Sequence, residues 1–462
     1  MITSNDQFIA LVRRCANIDF SVNLHRFLRV FGFALMAVVA APNTALAQEH
    51  DHSQMDHGDM QEQEEIGTDC FKMSTISCLE SSMMLHGSPG SGTSLLPDRE
   101  GGHTGLHIML DDDFMLMAHG YAWGVYTDQS GPRGGDKAYV QSMAMLTAQK
   151  ETDWGRLQLK SMMSLEPLMK NRGYPNLFAT GETAGGEPLV DRQHPHDLFM
   201  ELAARVDFNV GDTSSVFVYG GPVGEPALGP SAFMHRGSAK LNPEAPITHH
   251  WFDSNHITYG VATVGFTNWW LQIEGSIFTG RELDEARWNI EKPRFDSWSV
   301  RATVNPSANW TVQASTGRLK QPEYLIHPDE DEQRTTASVH YATGDLSAML
   351  AFSAKDRKPG PTLTAWLAEV NWNLGEHHTL FGRAENVRND ELFPEHTDPL
   401  HEVPFRISKF QLGYAYRLPL TDIFNLALGG TVSAFAKSAA LDAAYGNKPM
   451  GYTLFARLSL GL

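Results

Sequence analysis

The sequence predicts an all-β fold: an antiparallel transmembrane outer-membrane β-barrel of about 16 strands, within a range of about 14–18, behind a disordered N-terminal tail. Three observations predict it. Many segments alternate apolar and polar residues with a period of two over the length a tilted membrane strand needs. The connections between them alternate short and long. The chain also opens with a secretory leader, and no later apolar run reaches the roughly 18 residues of a transmembrane helix.

The leader is residues 1–47. Arg26 and Arg29 precede an apolar run from Val30 to Ala41, and Ala45-Leu46-Ala47 then gives an A-x-A cleavage site. That run is too short to span a bilayer as a helix. Cleavage after Ala47 leaves about 415 residues, enough for two ordinary domains or one large barrel. The whole chain has 36 Lys+Arg against 54 Asp+Glu. Four basic and two acidic residues leave with the leader, so 32 remain against 52, a net charge of −20. Such a chain repels nucleic acid and favours cations or solvent, so no nucleic-acid partner is expected.

Residues 48–106 read as a periplasmic His/Met-rich tail and a Gly/Ser/Pro linker, "SPGSGTSLLPDREGGH" being the clearest linker stretch. The tail contains "HDHSQMDHGDM", with His50, His52, Met55, His57 and Met60 as candidate metal ligands. Imidazole and thioether together suit copper, and thioether selects the soft Cu(I) ion over harder cations. Asp51, Asp56 and Asp59 gather cations around it. The expected ion is copper, with silver or zinc as alternatives; a solvated polar tail with no ligand function is the bland reading. Cys70 and Cys78 are the only cysteines after the leader. Their default in an oxidising compartment is a small disulfide loop, with thiolate ligation the alternative.

The barrel is expected over 107–462. In "HDLFMELAARVDFNV", Leu198, Met200, Leu202, Ala204, Val206, Phe208 and Val210 share one face, and Phe199, Glu201, Ala203, Arg205, Asp207 and Asn209 the other. "KFQLGYAYRL" and "TAWLAEVNW" repeat the pattern. The chain ends on "GYTLFARLSLGL", with Tyr452, Leu454, Ala456, Leu458, Leu460 and Leu462 on one face. Sixteen strands are predicted near 114–127, 137–150, 155–168, 196–210, 214–221, 256–267, 269–280, 297–306, 309–319, 333–343, 346–355, 362–373, 378–389, 405–418, 423–436 and 451–462. "GDTS", "TN", "GD" and "NLGEH" are short turns between them, and 169–195, 222–255, 281–296, 320–332, 390–404 and 437–450 are long loops. Short turns on one side and long loops on the other are what an outer-membrane barrel shows. Both termini then face the periplasm.

Several segments carry a resemblance: "SGTSLLPD" (91–98), "GPRGGDK" (131–137), "DRQHPHDLFMELA" (191–203), "GEPALGPSAFMHRGSA" (224–239) and "NPEAPITHHWFDSNHI" (242–257). They resemble a poorly characterised Gram-negative outer-membrane β-barrel family associated with copper and heavy-metal tolerance. The tail alone is similar to that of the copper-resistance outer-membrane protein CopB. The resemblance implies metal binding, tolerance or export, and no catalytic activity. The partners expected with it are outer-membrane lipid and lipopolysaccharide, the barrel-assembly machinery and periplasmic copper carriers.

Two of those segments hold a second candidate metal group: His194 and His196 in one long loop, and His235, His249, His250 and His256 in the next, with Asp197 and Asp253 nearby. The loops flank one hairpin, so they are expected to meet. The competing reading is structural: Pro195 fixes a turn, and the histidines serve backbone needs; on sequence alone it is the stronger of the two. No enzyme is expected. Ser254 and His256 are two apart, as a nucleophile and base of a lipid hydrolase could stand, but the sequence names no orienting group and no oxyanion hole. The alternative to metal tolerance is a general porin or small-solute channel with an incidental tail. Its bore would be lined by Glu201, Arg205, Asp207, Gln272, Glu274, Glu369 and Lys409, and narrowed by Phe199, Leu367, Phe455 and an inward fold of loop 222–255.

Overall fold

The computed structural model describes residues 87–101, 105–111 and 113–460. Sixteen strands close into one antiparallel barrel. In chain order they are β1 (Phe114–Gln129), β2 (Gly135–Thr152), β3 (Gly155–Met163), β4 (Phe199–Asn209), β5 (Ser214–Gly224), β6 (Thr258–Asn268), β7 (Leu271–Phe278) and β8 (Ser297–Ser307). They continue as β9 (Trp310–Leu319), β10 (Asp331–Ala342), β11 (Leu346–Lys358), β12 (Thr362–Leu374), β13 (His378–Asn389), β14 (Phe405–Pro419), β15 (Phe424–Ala436) and β16 (Met450–Leu460). Each pairs with its neighbour in sequence, and the ring closes between β16 and β1, from Gly451 opposite Gln129 to Leu460 opposite Gly120. Below that seam the same edge of β1 continues against a further strand, Leu106–Asp111, with Leu106 opposite Ala118. That strand therefore covers an edge that would otherwise be open.

The two faces of the wall follow the alternation in the sequence. Val140, Leu146, Leu159, Val264, Ile273, Val300, Leu412 and Leu454 are exposed on the outside. Trp154, Trp269 and Trp270 are exposed at the short-turn end and Trp298 at the loop end. An apolar outer band edged by aromatic residues is the surface of a barrel built to sit in a bilayer. The lumen-facing residues expected from the period hold their places: Glu201, Asp207, Gln272, Glu274, Glu369 and Lys409 are buried, and the Arg205 guanidinium binds Asp207 at 2.7 Å.

Some strand boundaries move, and one side chain changes face. The strand expected over 155–168 stops at Met163, because Pro167 lies in a 3-10 turn over Glu166–Met169 and a proline cannot donate to the ladder. The strand expected from 196 begins at Phe199, after Pro195. A register shift between Phe199 and Glu201 then turns Met200 into the wall, 1% exposed, where strict alternation would face it outward.

The largest difference is the stretch read as linker. Residues 87–100 are ordered inside the barrel, as a small hairpin of Gly87–Pro89 with Leu95–Pro97 and a 3-10 turn over Asp98–Glu100. Ser88, Ser91, Thr93, Ser94 and Leu96 are buried. Small polar residues read as flexible in isolation, but they are also what fits a narrow, hydrogen-bonding lumen. The Thr93 hydroxyl meets Glu274, and Arg301 donates to it at 3.0 Å.

Candidate functional site

The β5–β6 connection, residues 225–257, enters the lumen from the loop end, as its length predicts. It runs down to the level of the turn end and returns. On the way down, Ser231 meets Ser91 of the N-terminal segment, their hydroxyls 3.1 Å apart. At the bottom, Glu100 accepts from the Gly237 amide. On the way back, Asn242 binds Gln411, Glu244 binds Lys409 at 2.8 Å, and Thr248 donates to Glu385 at 2.9 Å. The central joint is Arg236, fully enclosed, with Nε 2.9 Å from Glu369 and Nη1 2.8 Å from Asp253. Arg383 supports the far oxygen of Glu369 at 2.9 Å. Charges so deep are stable only because each is paired and hydrogen-bonded. A cavity of about 30 Å³ beside Tyr121, His196 and Lys240 leaves room for a water or two.

The same loop carries the histidines to the mouth. His249–Phe252 forms a single helical turn. It is held down by Trp251 and Phe252, which pack on Leu363, Ala365, Val387 and Ile407 of the wall. The Trp251 carbonyl accepts from Ser353 at 2.6 Å. From the β3–β4 loop comes His194, just after Arg192–Gln193 pairs with Tyr174–Pro175. The two loops meet as expected. Ring centres are 5.9 Å apart for His194 and His249, 5.9 Å for His194 and His250, 5.3 Å for His249 and His250, 5.2 Å for His249 and His256, and 5.3 Å for His196 and His256. His194, His249 and His250 bring one ligand atom each within 4.8 Å of one another. His235 stands half-buried on the 3-10 turn Phe233–His235 and is outside that trio.

Each ring is oriented through Nδ1. His249 donates to Asp253 at 2.8 Å, His250 to Glu282 at 2.9 Å, His196 to Glu166 at 2.9 Å and His256 to the Asp253 carbonyl at 2.6 Å. Burial pushes His249 and His250 down to about 4, with Asp253 and Glu182 respectively opposing the shift. It holds His194 and His256 well below the usual imidazole range. His196 goes the other way: burial depresses it, but the Glu166 carboxylate outweighs burial. Burial raises Glu182 to about 7 against the pull of Arg287. Four neutral imidazoles at neutral pH is a ligand-competent state.

Ser254 and His256 do not pair with each other in any of these bonds. The Ser254 hydroxyl accepts from Arg334 at 3.0 Å, and the His256 Nδ1 is committed to Asp253. The tail ligands His50, His52, Met55, His57 and Met60, and Cys70 and Cys78, lie outside the described residues.

One feature escaped the sequence reading. Met117, Met143, Met145, Met162 and Met200 pack together in the barrel interior with Val223, Ile257 and Tyr259. Met145 and Met162 sit opposite each other across the β2–β3 ladder. The signal was present as Met115-x-Met117 and Met143-x-Met145, two thioethers on one face of each of two adjacent strands. The carboxylates that orient the rings, Glu166 and Glu282, had no such signal, because their roles depend on how distant loops fold back.

No family model matches the chain, and no curated protein matches it. Among solved structures it is similar to OmpF of Salmonella typhi, determined in complex with daunomycin, at 8% identity and a TM-score of 0.51, over 76% of this chain and 100% of that one. An anion-selective porin from Comamonas acidovorans aligns at 11% identity and a TM-score of 0.49, over 75% and 100%. OprB of Pseudomonas putida aligns at 8% and 0.46, over 76% and 95%. At such identities the likeness to OmpF is one of fold: the chain is a closed sixteen-strand antiparallel barrel of the kind outer-membrane porins have.

Proposed function

We propose that the protein is a solute channel of the outer membrane held closed by its own chain. The observation that supports this is the meeting of residues 87–100 with loop 225–257 across the lumen, at Ser91 and Ser231. A barrel of sixteen strands left empty would hold a water-filled bore. Here two inserted segments fill it, tied to the wall by polar and ionic bonds. Planar-bilayer recording tests the reading: the intact protein should pass little current, and removal of residues 87–100 and 231–245 should produce large steady openings. Large openings in the intact protein would overturn closure. Silence in both would make the barrel an anchor rather than a channel.

A second reading adds what passes or binds: soft metal cations, copper or silver, in a role in metal tolerance. Two features favour it, the His/Met tract and the five buried methionines, since thioether sulfur prefers Cu(I) and Ag(I). Methionine also serves as ordinary core filler, so the test must be chemical. Replacing Met117, Met143 and Met145 by Leu should keep the barrel folded and lower silver bound per chain. Unchanged silver binding would leave the methionines as packing. In this reading the tail extends into the periplasm, where copper carriers can meet it, and the outer band contacts lipid and lipopolysaccharide once the assembly machinery has inserted the barrel.

A further inference from the structure

We propose that His194, His249 and His250 form a binding site for a borderline divalent cation, zinc or copper(II), that staples the β3–β4 loop to the β5–β6 loop at the mouth of the lumen. The inference deepens the metal reading above but concerns a different place, ligand set and oxidation state from the tail and the methionines.

Convergence comes first. Three imidazoles from two loops separated by a whole hairpin place ligand atoms within 4.8 Å of one another, close enough for small ring rotations to bring all three onto one ion at about 2.0–2.1 Å. All three rings are buried. The second observation is what they lack. The Nε2 atoms of His194 and His250 are buried without a hydrogen-bond partner. A buried polar atom left unpaired costs about 1–3 kcal/mol, and folded proteins rarely leave two so close together. A cation accepting both lone pairs removes the cost.

The surroundings are those of a built site. A metal-bound histidine usually donates its other nitrogen to a carboxylate or carbonyl, which fixes the ring and makes it a better ligand. His249 does so to Asp253, His250 to Glu282, and the His194 Nδ1 lies 3.2 Å from the Pro195 carbonyl. Asp253 is itself fixed, its other oxygen taking bonds from Arg236 at 2.8 Å and the Phe233 amide at 2.9 Å. The carboxylate that orients His249 is therefore the one that anchors the inserted loop through Arg236. Glu182 offers an oxygen 3.4 Å from the His194 Nε2, and so a fourth donor. A His₃ set with one oxygen suits Zn²⁺ or Cu²⁺, and with no sulfur present nothing selects Cu(I).

The test uses the full-length protein with His50, His52, Met55, His57 and Met60 changed to Ala, so that the tail contributes nothing, and Co²⁺ as the probe. One equivalent should bind, with the visible bands of a four-coordinate nitrogen/oxygen site and no near-ultraviolet sulfur band from Cys70 or Cys78; Zn²⁺ should displace it. Adding His249→Ala and His250→Ala should abolish the bands. His194→Ala, in the other loop, should do the same if the first variant fails to fold. Asp253→Asn should weaken binding about 10–100-fold while keeping the spectrum. Absence of the bands in the tail-altered protein would overturn the site. So would their persistence in either histidine variant with heat-modifiable gel migration intact.

Discussion

Arg236 and Glu369 form an ion pair of 2.9 Å with the guanidinium of one and the carboxylate of the other fully enclosed. It joins the tip of an inserted loop to the barrel wall. The same arginine reaches Asp253, which orients His249. Closure of the lumen and placement of His249 thus share one side chain.

Arg236→Ala should therefore be costly. It leaves Glu369 with Arg383 as its remaining charged partner and Asp253 without its arginine, both carboxylates buried. Removing one partner of a buried pair typically costs about 3–5 kcal/mol. Gel migration against temperature should show the folded band lost at a lower temperature than in the parent. Arg236→Lys should recover part of the loss, because it restores charge without the two-pronged geometry. An unchanged midpoint in Arg236→Ala would mean the loop is held elsewhere.

Loosening of the inserted segments with rising pH is expected from two carboxyl groups. Burial raises Glu225 to about 8, against Arg301 and a bond from Ser91 and helped by Glu201 and Asp253. Burial raises Glu100 to about 7, against the Gly237 amide, Arg236 and Lys240 and helped by Glu369. Both sit above the ordinary 4.5, so the folded state holds these protons more tightly than the unfolded state. The stability tied to them is whole below about 4.5 and is lost as pH climbs through 7 to 8. Hydrogen exchange in residues 87–100, corrected for its intrinsic pH dependence, should quicken between pH 5.5 and about 8.5. Glu225→Gln with Glu100→Gln should flatten that trend; a parent with no trend would refute it.

Gly181 should not tolerate alanine. Its φ is +108°, and a Cβ there would lie 2.4 Å from the His250 Nδ1. The backbone conformation alone costs about 1–3 kcal/mol for a residue with a side chain. The collision falls on the atom that binds Glu282, so the ring must turn. Gly181→Ala should weaken Co²⁺ binding at the loop site while leaving the barrel assembled. Undiminished binding would show that the ring's orientation is not set from this side.

Deleting residues 49–60 should leave assembly intact, since among the described residues the barrel's strand pairings begin at Leu106. It should lower copper bound per chain. Equal copper with and without the segment would remove the tail from metal capture.

The barrel was legible in the sequence because a wall with lipid outside and polar atoms inside imposes a period of two on every strand. Trp366 and Trp372 outward against Leu367 and Glu369 inward could be read from order alone, and the structure keeps them there. Loop length likewise foretold that 222–255 folds inward. What needed the tertiary structure was everything set by contacts distant in sequence. Ser91 and Ser231 are 140 residues apart, and no local pattern pairs them. The serines and glycines of 87–101 read as linker because their fit depends on a lumen only the closed barrel supplies. The five methionines converge only once four strands lie side by side, one of them bulged at Met200. For the histidines, sequence named the residues and the loops, while the fold decided which nitrogens meet, and burial decided that His194, His249, His250 and His256 stay neutral.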